Sequence, residues 1–106
     1  MRKITPELID IAACVVSDLT NISKEDILGK KRKYHFIAAR HTLWHYLFNH
    51  TLTHKSELAR LVGRDHTTLI HGLRSVRGQI ETDPRMARYV DAVCREIDRR
   101  ITGEDS

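Results

Sequence analysis

Residues 57–77 read ELARLVGRDHTTLIHGLRSVR, and the six in the middle, Gly63-Arg64-Asp65-His66-Thr67-Thr68, decide the fold. An apolar-periodic run, Leu58, Leu61 and Val62, stops at Gly63, the kind of residue that ends a helix. Asp65 then offers a short side-chain acceptor to the unpaired amides of a new first turn. The spacing predicts helix, tight turn, helix. From Leu69 the second helix repeats Leu69, Leu73, Val76 and Ile80, which at about 100° per residue share one narrow, core-facing stripe. Thr67, His71, Arg74 and Gly78 lie opposite. That outward face carries a hydroxyl, an imidazole and a guanidinium but no acid, which suits the base edges and phosphates of a nucleic acid.

Charge along the chain supports this. Residues 1–29 hold three bases and five acids, net −2; residues 30–77 hold ten bases and two acids, net +8; residues 78–106 hold five bases and seven acids, net −2, together the overall +4. All seven histidines fall between His35 and His71. A merely solvated surface mixes its signs, so a basic middle between mildly acidic flanks points to a polyanionic partner. Lys30-Lys31-Arg32-Lys33 is the densest part of that block. Taken alone, such a run also suits a flexible solvated loop; its setting favours a binding role.

Around the central motif the pattern predicts further helices. Thr5 caps the first, with Pro6 at its first position, Glu7 in its first turn, and Leu8, Ile9, Ala12, Val16 and Leu19 on one face. Ser23 and Asp26 resemble a capping box for a short second helix that pins Ile22, Ile27 and Leu28 to the core and ends near Gly29. A third, from about Tyr34 to His50, has Phe36, Ile37, Leu43, Trp44 and Leu47 as its stripe, with Arg40 and His41 off it. The fourth starts near Thr53 or His54 and ends at Val62, with Lys55 and Arg60 exposed or near a bound backbone. After Asp83-Pro84 a last helix, about 84–102, presents Met86, Val90, Val93, Ile97 and Ile101 to the first, and residues 103–106 form a frayed tail. The expectation is a single all-α domain of six helices.

Several functions are disfavoured. No GxxxxGK[ST] loop occurs, so no ATPase activity and no nucleotide partner are expected. No apolar leader and no run of about 18 apolar residues is present, which predicts a cytosolic protein without a membrane partner. Cys14 and Cys94 read as small buried residues in a reducing compartment. His41 and His45 stand one turn apart, but His41-Thr42-Leu43-Trp44-His45 lacks the Glu of an HExxH site. No metal, cofactor or catalytic role is expected.

The segment LARLVGRDHTTL, Leu58 to Leu69, with Leu28-Gly29-Lys30-Lys31-Arg32-Lys33 and Ala39-Arg40 upstream, resembles the C-terminal DNA-binding domain of the bacterial replication initiator DnaA. The likeness runs over roughly residues 5 to 102 and implies a compact, Trp-repressor-like helix-turn-helix fold. It also implies binding to double-stranded DNA at initiator-box-like sites, and a role in replication initiation or its regulation, including competition with a full-length initiator. By that resemblance Arg32 enters the minor groove, a task that suits a weakly hydrated guanidinium. Asp65, His66 and Thr67 at the start of the recognition helix, and His41, would read bases. Lys30, Lys31, Lys33, Arg40, Arg64, Thr68, His71 and Arg74 would hold phosphates. Read from the residues alone, Asp65 is also a helix cap, and Arg40 also fits an ion pair or a helix-capping role.

Three departures from the family pattern stand out. Gly63 is single where two glycines are usual, His41 replaces a common Gln, and Phe48 stands where some members carry a phosphate-binding Lys. An imidazole donates one bond but lacks the bidentate amide that favours adenine. The alternatives to an initiator-box binder are a transcription repressor of the same fold and a protein-interaction module that has lost DNA binding.

Overall fold

The computed structural model describes residues 2–103. Helices begin where a side chain meets their free amides. Thr5 Oγ1 accepts from Leu8 N at 3.1 Å, Ser23 Oγ from Asp26 N at 3.1 Å, Asp65 Oδ1 from Thr68 N at 2.7 Å and Asp83 Oδ1 from Arg85 N at 2.9 Å. These caps open α1 (Pro6–Thr20), α2 (Lys24–Leu28), α5 (His66–Thr82) and α6 (Pro84–Thr102). α3 (Tyr34–Asn49) and α4 (Lys55–Leu61) start without a side-chain cap. The six helices agree with the all-α expectation. Of the expected tail, residues 104–106 lie outside the described residues.

The sequence reading did not foresee a two-stranded parallel ladder, in which β1 (Arg2–Lys3) pairs with β2 (Thr51–Leu52) in the register Arg2 to Thr51 and Lys3 to Leu52. Strands of two residues carry no periodicity, so nothing marked them.

α3 is the central helix, packed against α1, α2, α4 and α5. Its buried residues are Ala39, Arg40, Thr42, Leu43, Trp44, Tyr46 and Leu47, which is more than a stripe. Tyr46 is wholly buried and its hydroxyl donates to Asp98 Oδ1 at 2.6 Å, fastening α3 to α6. α6 also packs on α1, and Val90, Val93 and Ile97 are buried as expected, with Met86 and Ile101 partly so. Three expectations need correction. Leu19 and Leu28 are 49% and 41% exposed because each sits at the end of its helix, beyond the neighbours that cover the same face further in. Cys14 is half-buried, whereas Cys94 is buried.

Candidate nucleic-acid interface

The turn between α4 and α5 is closed by one glycine. Gly63 has φ +71°, the left-handed conformation that side chains resist. Its amide donates to Arg60 O at 3.2 Å and the Arg64 amide to Ala59 O at 2.9 Å, a pair of bonds that satisfies the last carbonyls of α4. A single glycine is therefore enough to turn the chain. Asp65 then caps α5, and the bonds from Thr68 hold its carboxyl below the usual carboxylate range.

Arg64, between those two residues, is half-buried. Its guanidinium lies over the Trp44 ring, 6.0 Å from the centroid, and Nη2 donates to the backbone carbonyl of Gly29. Gly29 is the residue before Lys30, so one hydrogen bond joins the root of the basic loop to the turn that launches α5. Arg40 grips the same loop from behind. Its Nε donates to Ile27 O at 2.9 Å, and its Nη2 to Asp26 O at 2.8 Å and Lys31 O at 3.2 Å. Burial, then the nearby charge of Arg64, holds its pKa below the ordinary arginine value.

Arg40 is thus not on the surface: it is 5% exposed and caps the C-terminal carbonyls of α2. Its Nε and Nη2, expected to face a phosphate, face backbone oxygens. His41 is half-buried rather than free on the surface. Its ring packs on Trp44, 5.2 Å between centroids, in the seam between α3 and α5. Burial, reinforced by Arg40, lowers its pKa, leaving a neutral packed imidazole. Gly72 makes that seam possible, since a Cβ there would lie 2.6 Å from Trp44 Cζ3 and 2.8 Å from His41 Cδ2. Sequence reasoning missed Gly72; the signal was a glycine one step from Leu73 and three from Leu69, on the core face of a helix.

The remaining expected site residues are exposed: Lys30, Lys31, Arg32 and Lys33 in the loop, and Asp65, His66, Thr67, Thr68, His71 and Arg74 on α5. Lys31 lies 3.7 Å from Asp26, and Lys33 sits over the Phe36 ring at 5.6 Å. Among the described residues Lys30, Arg32, Lys55 and Arg74 have no acidic partner. The seven histidines do not converge: no group of three or more metal-binding side chains exists among the described residues. No described helix is long and apolar enough to cross a membrane.

The family model for the bacterial DnaA protein helix-turn-helix matches residues 9–76. The chain belongs to that family. Among its relatives, the chromosomal replication initiator protein DnaA of Leptospira biflexa is 30% identical over 74 residues, 70% of this chain and 17% of the relative. That of Rhodopseudomonas palustris is 29% identical over 84 residues, 78% of this chain and 18% of the relative. That of Flavobacterium psychrophilum is 28% identical over 90 residues, 84% of this chain and 19% of the relative. The chain therefore spans less than a fifth of the length of each of these DnaA relatives. It is an all-α DnaA-like helix-turn-helix module of the DNA-binding kind.

Proposed function

We propose that this chain binds duplex DNA sequence-specifically at DnaA-box-like sites and takes part in initiating replication or in regulating it. The observation that carries the reading is the Arg64–Gly29 bond, which holds four consecutive cationic residues beside the tip of α5. In this reading α5 enters the major groove, where Asp65, His66 and Thr67 meet base edges and the Thr67 methyl packs on a thymine methyl. Arg32 enters the adjacent minor groove. Lys30, Lys31, Lys33, Thr68, His71 and Arg74 meet phosphates, and the free amides at the start of α5 favour an anion there. In this reading Arg40 and Arg64 act from behind by fixing the loop, in place of the phosphate contacts expected of them, and His41 acts by packing the seam, in place of a base contact. Regulation by competition with a full-length initiator for the same sites, in the cytosol, belongs to the same proposal.

Selection from a random duplex library followed by binding titrations tests it. If about five phosphates are neutralised, log affinity should fall with log salt at a slope of about −4 to −5. His66→Ala should cost about 1–3 kcal/mol on the selected duplex and relax preference at one position, whereas Lys31→Ala should weaken all duplexes alike. Equal losses for His66→Ala on selected and random DNA would remove the base-reading role. Failure to enrich any sequence, with no duplex binding at low salt, would leave the protein-interaction alternative standing.

A further inference from the structure

α5 does more than present its tip. Further along, its Arg74 and Arg77 share a hollow of about 430 Å³ with His45, Phe48 and Asn49 of α3 and Lys55 of α4, and no Asp or Glu lines it. We propose that this hollow is a second anion site, which takes a backbone phosphodiester of the same duplex whose major groove receives the tip of α5. The proposal rests on the DNA-binding reading above: it gives Lys55, expected to be exposed or near a bound backbone, a defined contact, and adds to it Arg77, His45 and Asn49.

Three observations carry it. First, the Lys55 ammonium stands over the Phe48 ring, 5.4 Å from the centroid. Attraction to the ring face keeps a flexible side chain at the rim, and neither Lys55 nor Arg74 has an acidic partner among the described residues. Second, among the described residues Arg77 is paired only with Glu81, at 3.4 Å in an exposed pair, which a phosphate can displace at little cost. Asn49 Nδ2 donates to His45 O at 2.9 Å, which fixes the far wall. Third, the axial distance fits. Arg74 lies eight residues beyond His66, about 12 Å along the axis, and Arg77 about 16 Å. The phosphate rim of a groove about 8.5 Å deep then lies about 3.5 Å short of the Arg74 backbone, a gap that its side chain, leaning back toward the start of the helix, can span.

His45 reports on occupancy. Burial and then the neighbouring His50 lower its pKa, and an arriving anion raises it. The charge that binds comes from Lys55, Arg74 and Arg77.

The test compares wild type with Lys55→Gln/Arg77→Gln and with a control, Arg85→Gln/Arg88→Gln, which removes two exposed charges from α6. Binding is titrated against selected and random duplexes across a salt series, and the His45 proton resonance is followed as pH varies, with and without duplex or inorganic phosphate. The expected result is an affinity loss of about five- to tenfold on both duplexes and a salt slope shallower by about one for Lys55→Gln/Arg77→Gln. The control pair should leave the slope unchanged, and duplex should raise the His45 pKa in wild type. Equal slopes for wild type and Lys55→Gln/Arg77→Gln, with normal duplex binding by both, overturn the site while leaving the DNA-binding reading intact. A His45 response to inorganic phosphate but not to duplex also overturns it, in favour of a free phosphate ligand. No duplex binding by wild type at all overturns both.

Discussion

Arg64 Nη2 donates to the main-chain carbonyl of Gly29, 35 residues earlier, so the turn before α5 and the root of the cationic loop share a hydrogen bond. A charged donor on a neutral carbonyl, partly shielded by the Trp44 indole, is a stronger tie than an exposed ion pair. The root of the loop and the turn before α5 are therefore tied together.

Arg64→Ala should loosen that tie. Stability should fall by about 1–2 kcal/mol for the lost bond, and amide exchange should rise at Lys30–Lys33 more than in α1 or α6. Exchange followed by mass spectrometry checks it; unchanged protection of the loop would mean that Gly29 is held by other contacts.

Arg40→Ala should behave as a core mutation. It leaves the carbonyls of Asp26, Ile27 and Lys31 without their donor, and a loss of about 2–4 kcal/mol in urea unfolding is expected. A loss under about 0.5 kcal/mol, as typical surface sites give, would contradict its burial.

Gly72→Ala and Gly78→Ala should have opposite signs. At Gly72 the new Cβ meets Trp44 at 2.6 Å, and overpacking by about 1–3 kcal/mol outweighs the gain of up to about 1 kcal/mol in helix propensity. At Gly78 nothing lies within 4 Å, so the same substitution should stabilise by about 0.5–1 kcal/mol. Thermal melts of the two variants decide it, with Trp44, the one tryptophan, reporting the disturbed seam by near-ultraviolet circular dichroism.

Asp65 gives the cap a pH dependence. Its carboxyl is held below the ordinary value of 3.8 by the bonds from Thr68. The stabilisation it contributes is therefore complete above that ordinary value and is lost as pH falls through the lower, folded one. Asp65→Asn keeps an acceptor that does not titrate, so its urea midpoint should fall less steeply below pH 4 than that of the wild type. Parallel curves would show that the cap does not depend on charge.

Much of the fold was legible because it is written in local chemistry. Thr5, Ser23 and Asp65 cap the helices they were expected to cap, and Leu69, Leu73 and Val76 are the buried stripe of α5. What escaped was long-range. Position off an apolar stripe suggested exposure for Arg40 and His41, yet α3 is surrounded, so even its polar side has neighbours. Only the three-dimensional neighbourhood reveals that Arg40 faces carbonyls of α2 and the loop, or that Lys55 comes to lie over Phe48. The loop cations and the α5 face were legible as a basic surface, because charge density along the chain survives folding.

The bare backbone of Gly72 lets α5 lie nearer the Trp44 indole than any side chain would allow. On the proposed DNA-binding reading, a helix seated that closely adapts little, and the double helix supplies the curvature. Operators whose base steps bend or narrow at low energetic cost would then gain an advantage at positions that no side chain touches.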